Sequence, residues 1–152
     1  MIVNMKKIIK LLLLISWMCV IFFFSSQVAK DSTITTNFVV DFLYALYNKI
    51  MLNAISYGEF VLTVFKPIRK IAHFTEFAIL GALIYLNIVE YKKNRVLLLS
   101  VILSLLYATS DEIHQIFVEG RAFSVIDILI DTCGAAAGIV LIHLLVSKCL
   151  KK

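Results

Sequence analysis

Charge is scarce in this sequence. Of its 152 residues, 16% are Asp, Glu, Lys or Arg, whereas a soluble domain carries about 25%. Hydrophobic residues make up 61%, and the mean hydropathy is +0.95. That balance excludes a disordered chain and argues against a soluble globule. A single proline and five glycines leave little room for linkers. The three cysteines, Cys19, Cys133 and Cys149, are odd in number and have no metal-ligand spacing. This argues against a disulfide framework, and they read as small apolar residues in or beside membrane segments. There is no internal repeat and no low-complexity tract.

What the sequence has instead is long apolar runs. The first, Leu11 to Phe24, follows Lys6, Lys7 and Lys10. The stretch Ser25 to Lys30 offers no good small-x-small cleavage site, so a retained helix is favoured over a cleaved signal. Three more spans follow, at about 67–89, 96–117 and 123–146, after a first at about 8–26. Pro67 suits a first-turn position in the second. Residues 31–65 are too polar to span and too apolar for a free loop, with Asp41, Asn48, Lys49, Asn53 and Glu59 among apolar neighbours. They read as one or two amphipathic helices at the membrane surface, capped by Asp31 or Ser32. The expected fold is all-α: an integral membrane bundle of four transmembrane helices with an amphipathic interfacial segment between the first two. One domain covers residues 1–152.

The net charge of +5 reports topology. Nine of the 15 basic residues fall at the N-terminus (Lys6, Lys7, Lys10), between the second and third spans (Lys92, Lys93, Arg95) and at the C-terminus (Lys148, Lys151, Lys152), with only Glu90 among the acids. This positive-inside pattern puts both termini in the cytoplasm of a multi-pass protein and makes a nucleic-acid partner unnecessary. The lipid bilayer is the expected partner.

The remaining charges gather at one depth. Ser26, Glu76 and Asp111 each lie 16 residues from Lys10, Lys92 and Arg95, and Asp131 lies 17 from Lys148. At 1.5 Å per residue that is roughly 24–26 Å of a hydrocarbon core about 30 Å thick. His73 and His114 form the next layer outward. Arg69, His73, Glu76 and Leu80 follow one helical stripe, Asp111 shares a face with His114 and Gln115, and Asp127, Asp131, Gly134 and Gly138 follow another stripe. The two glycines let another helix approach closely and are a candidate surface for homo-oligomers. Ionisable groups at this depth cost roughly 2.5–3.5 kcal/mol each and usually face a cavity and one another. A purely structural role stays open for part of the set: Arg69, Lys70 and Arg121 as interfacial anchors, Asp127 and Asp131 as partners of the arginines. His143 reads as packing or interfacial, and Trp17, Tyr85 and Tyr91 as lipid-facing or belt aromatics.

The run Arg69-Lys70-Ile71-Ala72-His73-Phe74-Thr75-Glu76-Phe77 resembles the Arg-Lys-x-x-His-Phe-x-Glu-Tyr signature of the VanZ-like membrane proteins. The run Tyr107-Ala108-Thr109-Ser110-Asp111-Glu112-Ile113-His114-Gln115, continuing to Gly120-Arg121, resembles their second signature. Asp127, Asp131 and Gly134 follow at the family spacing, and Phe24-Ser25-Ser26-Gln27 resembles the end of the family's first helix. Phe77 stands where tyrosine is common and Glu119 where proline is frequent. The resemblance implies a small multi-helix bacterial membrane protein, in a family named after a member linked to low-level resistance to the glycopeptide teicoplanin.

The matching positions divide by chemistry. His73, Glu76, Asp111, Glu112, His114 and Asp131 are candidate catalytic groups, with His114 as a base or metal ligand oriented by Asp111 or Glu76. Arg69, Gln115, Arg121 and Asp127 are candidate substrate-binding groups, the arginines holding an anionic headgroup bidentately. The substrate class is a lipid-linked envelope precursor or a lipoglycopeptide at the outer leaflet. A non-catalytic binding or proton-coupled transport module is the second reading, and a scaffold the third. There is no clear nucleophile, since Ser26 and Ser110 are ordinary and no cysteine sits in the layer. Two histidines and five carboxylates could hold Zn²⁺ or Mn²⁺, but no spacing matches a standard motif. No metal ligand or cofactor is assigned.

Overall fold

The computed structural model describes residues 2–27, 29–51, 55–89 and 95–149, with the side chains of 5–27, 37–49, 55–89 and 95–148. All regular structure among them is helical: α1 (Ile2–Ser25), α2 (Ala29–Met51), α3 (Tyr57–Ile88), α4 (Val96–Gln115) and α5 (Val125–Cys149). Four of these, α1, α3, α4 and α5, are long and apolar enough to cross a membrane. Their large apolar side chains point outward in quantity. Leu11, Leu12, Leu13, Phe22 and Phe23 are exposed on α1, as are Leu97, Leu98, Leu105, Leu106, Leu141 and Leu145 elsewhere. So much contiguous apolar surface fits lipid and not water.

Helix α3 begins earlier than the apolar run suggests. Ser56 and Glu59 form a capping box, in which the Ser56 hydroxyl accepts from the Glu59 N–H and the Glu59 carboxylate accepts from the Ser56 N–H. Two otherwise orphaned donors are thereby satisfied. Pro67 consequently sits inside the helix and not in its first turn. With 32 residues, α3 is about 48 Å long, longer than a hydrocarbon core of about 30 Å. The surplus first turns pair with α2. Tyr44 and Tyr47 both lie 5.2 Å, ring to ring, from the buried Phe60, and the Tyr57 hydroxyl donates to Asp41. The expected interfacial segment is therefore a helical hairpin. On α2, Phe38, Phe42 and Leu46 recur every fourth residue and are exposed, the apolar stripe of a helix lying in a membrane surface. The helix starts at Ala29, ahead of Asp31 and Ser32, whose side chains lie outside the described residues.

Helices α3 and α5 form the tightest seam. A Cβ added at Gly81 would overlap the backbone of Ala135, one at Gly134 that of Phe74, and one at Gly138 that of Ala78. Lipid provides no hydrophobic drive between helices, so this close approach carries the association through dispersion contacts. It also corrects the expected oligomer surface. Gly134 and Gly138 are buried against their own chain's α3 and are not available to a second copy.

Two aromatics read as lipid-facing or belt residues are internal. Tyr85 is 2% exposed, and its hydroxyl lies 2.8 Å from His143 Nδ1, which makes His143 a packing residue. Half-buried Trp17 donates from Nε1 to the Glu76 carbonyl at 2.9 Å. Together with Tyr107 donating to the Met18 carbonyl and Asn87 to the Lys10 carbonyl, it ties α1 to the bundle. The loop charges Glu90, Lys92 and Lys93, the aromatic Tyr91, and the terminal Lys151 and Lys152 lie outside the described residues.

Candidate functional site

The site is built where α4 ends and α5 begins. Helix α4 stops at Gln115, and Ile116–Val118, expected to continue the helix, form hydrogen-bonded turns. The chain then reverses through Val118–Arg121, closed by Arg121 N–H donating to the Val118 carbonyl at 3.1 Å. Gly120 has φ +76° there, a conformation that costs glycine little and other residues much more. Ser124 caps α5, its hydroxyl accepting from Asp127 N–H at 3.2 Å. Its own N–H donates to Glu112 Oε2 at 2.8 Å. One turn on from Asp111, Gln115 Nε2 donates to Asp111 Oδ2 at 3.1 Å. Two buried acids are thus each held by one oxygen.

Arg121 is oriented by the end of α1. Its Nε donates to the Gln27 carbonyl at 3.1 Å and its Nη2 to the Phe24 carbonyl at 3.3 Å. The Phe24 carbonyl belongs to the last turn of α1, the negative end of its dipole. Nη1 lies 3.5 Å from Gln115 Oε1, the outer limit of a hydrogen bond. Burial first, then the charge of Arg69, lowers the Arg121 pKa from its ordinary value, while Asp111, Glu112 and Glu76 oppose the shift. An anion would meet at most the two N–H groups that remain of the five.

Between these elements and α3 lies a cavity of about 230 Å³. Lys66, Arg69, Lys70 and His73 line it from α3, Gln115 and Arg121 from the α4–α5 corner, and Asp127 and Asp131 from α5. At its mouth Lys70 Nζ is 3.7 Å from Asp127 Oδ1, with the side chains 48% and 38% exposed. One turn deeper, Asp131 is fully buried and neither of its oxygens has a hydrogen-bond partner among the described residues. His73 Nδ1 is 3.9 Å from Asp131 Oδ1, beyond hydrogen-bond range, and is itself unpartnered. Asp111, Glu112 and Asp131 offer oxygens that all lie within 4.8 Å of one another.

Arg69, His73, Asp111, Glu112, Gln115, Arg121, Asp127 and Asp131 therefore come together at one end of the bundle. His114 does not join them. Its ring stacks on Phe22 at 4.5 Å, and its Nε2 is 3.1 Å from Ser26 Oγ. Because Ser26 donates to the Phe22 carbonyl at 2.6 Å, the histidine is the donor to that hydroxyl. The contacts that orient it come from α1, in place of Asp111 or Glu76. Glu76 is half-buried, outside the cavity lining, and its carbonyl is taken by Trp17. Lys66 and Lys70, the latter with an anchor role left open by the sequence, also line the cavity. Both follow the stripe Lys66, Lys70, His73 on α3, a periodicity that could have found them. Ser124 carried no such signal, because its role lies in a backbone N–H.

Four helices long and apolar enough to cross a membrane, three of them lining a cavity with cations and carboxylates, define a multi-pass helical membrane protein with a polar pocket at one end. The family model for VanZ/LLP1 matches residues 10–146, and the chain belongs to that family. No curated protein and no solved structure matches it significantly.

Proposed function

We propose that the cavity holds the anionic headgroup of a lipid-linked envelope molecule or lipoglycopeptide at the outer leaflet of a bacterial cytoplasmic membrane. In this reading the protein contributes to glycopeptide resistance, teicoplanin included. The observation that carries it is the cation set on α3. Lys66, Arg69 and Lys70 line a cavity of about 230 Å³ beside exposed apolar helix surface. Arg69 presents the planar fork suited to phosphate or carboxylate, and the bilayer-facing surface would accept the acyl or polyprenyl tail. His73, open to the cavity and unpartnered at Nδ1, is the group placed to act as a base in any turnover.

The test is binding of a short-chain polyprenyl diphosphate to the protein in nanodiscs. The Arg69→Ala/Lys70→Ala variant is expected to bind at least about tenfold more weakly, the equivalent of about 1.4 kcal/mol. Unchanged affinity would remove the headgroup reading. Teicoplanin susceptibility of cells carrying wild type or this variant tests the resistance part separately. The proposed orientation, with both termini cytoplasmic, predicts that in a background without native cysteines a Cys at Asn94 resists a membrane-impermeant thiol reagent. A Cys at Ser32 should react, and labelling of the Asn94 variant from outside reverses the topology.

A further inference from the structure

We propose that Asp111, Glu112 and Asp131 form a binding site for a hard divalent cation of the Mg²⁺ or Mn²⁺ class at the inner end of the cavity. Three carboxylates, all buried, bring oxygens within 4.8 Å of one another. Proximity alone is met with in acidic clusters that bind nothing, so the orphaned atoms decide. Asp131 is 0% exposed and Glu112 is 1% exposed. Both oxygens of Asp131 and Oε1 of Glu112 have no hydrogen-bond partner among the described residues. Buried polar atoms are rarely left so, and an unmodified buried carboxylate without a donor is costly. Three of the basic groups that line the cavity are otherwise engaged or too far to donate. Arg121 is turned to the α1 carbonyls and Gln115, Lys70 to Asp127, and His73 Nδ1 stands 3.9 Å from Asp131.

The other oxygens of the acids are held from behind. Gln115 Nε2 donates to Asp111 Oδ2, and the Ser124 N–H donates to Glu112 Oε2. Each bond leaves its acid a second oxygen, the way an outer hydrogen bond orients a carboxylate ligand toward a metal. Asp131, with two free oxygens, can ligate by one or both. An all-oxygen, carboxylate set selects Mg²⁺, Mn²⁺ or Ca²⁺ over the softer metals. Protonation of one or two acids would also relieve their repulsion. A proton shared between the carboxyls is thus the competing arrangement, and it would give no saturable Mn²⁺ binding.

Asp131 also lines the cavity, beside His73 and Gln115. A cation held there would lie beside the cavity that Arg69 and Lys66 also line. The substrate group that bridges a hard cation and such side chains is a phosphate or diphosphate ester. That last step rests on the headgroup reading above, whereas the cation site does not.

The experiment measures Mn²⁺ alone, by electron paramagnetic resonance of free Mn²⁺, against the metal-stripped full chain in detergent. Saturable wild-type binding is expected, competed by Mg²⁺ and weakened at least tenfold in Asp131→Asn and in Glu112→Gln. Two variants on different helices guard against one that fails to fold, as does a thermal shift of the wild type on adding Mn²⁺. No saturable wild-type binding, or equal binding in both folded variants, overturns the site. Diphosphate binding is then measured with and without Mn²⁺. If Mn²⁺ binds and the diphosphate does not, the cation site stands and the headgroup reading falls.

Discussion

Toward Ile88, α3 and α5 meet backbone to backbone across Gly81 and Gly138. The polar pair next to them, buried Tyr85 and half-buried His143, is matched at 2.8 Å. Toward Tyr57 the same two helices carry Lys66, Arg69, Lys70 and His73 on one side and Asp127 and Asp131 on the other, around open space. There Asp131 and His73 face each other without a hydrogen bond. One half of the seam satisfies every rule of a stable membrane interface. The other breaks the rule that buried polar atoms are paired. The closed half has the stiffness to hold the open half in an arrangement that the open half could not hold by itself. Strained or unsatisfied groups persist where surrounding packing over-determines them.

Breaking the closed half should have the largest effect. Gly138→Val places side-chain atoms on the Ala78 backbone, which cannot give way as a flexible side chain would. A loss of about 3 kcal/mol or more is expected, read from unfolding in mixed detergent micelles. A variant as stable as wild type would mean that the helices do not touch there. Next comes Tyr85→Phe, which takes the partner from the half-buried His143 Nδ1, at a cost of about 0.5–1.5 kcal/mol. Tyr85→Phe/His143→Phe should recover part of that loss, and ligand binding should be unchanged in both. Failure of the double variant to recover anything would show that Tyr85 acts through its ring alone.

In the open half the expected stability effects are small. Asp127→Asn removes the exposed contact with Lys70 and should cost about 0.2–1 kcal/mol, less in high salt. Smallest of all is Asp131→Asn. Measured in metal-free detergent, it should leave thermal stability unchanged or raised, because an unpaired buried charge is removed. The same variant should lose function, the usual separation of stability from activity at a functional site. A marked fall in stability without metal would instead make Asp131 a structural partner and erase the contrast between the halves.

How far the site could be read in advance depended on the kind of relation involved. Residues on one helix were legible. The stripe Arg69, His73 and the stripe Asp127, Asp131, Gly134, Gly138 follow from 3.6 residues per turn, and the structure places both on the α3–α5 seam. Relations through backbone atoms were not legible. Arg121 meets the carbonyls of Phe24 and Gln27, Ser124 holds Glu112 by its N–H, and Trp17 reaches the Glu76 carbonyl. Any residue type has those groups, so no pattern of side chains announces them. His114 misled for a related reason. It is three residues from Asp111, a spacing that puts the two on neighbouring parts of one face, yet it turns to Phe22 and Ser26 while Asp111 turns inward.

The sequence by itself determined that the chain is a bundle of four apolar helices with a fifth, amphipathic one. Span length and apolar content are local properties, and lipid forces each span's backbone to satisfy its own hydrogen bonds. It also determined that most of the charges left after the nine basic residues of the positive-inside pattern gather near the other end. Only the tertiary structure decided which charges share a cavity, which one is tied to α1, and that the glycines close the chain's own seam and are not left open to a second copy. Those outcomes depend on how each helix is rotated about its axis and how the 116–124 turn runs. Both are set by the shapes of several neighbours at once, which no single segment encodes.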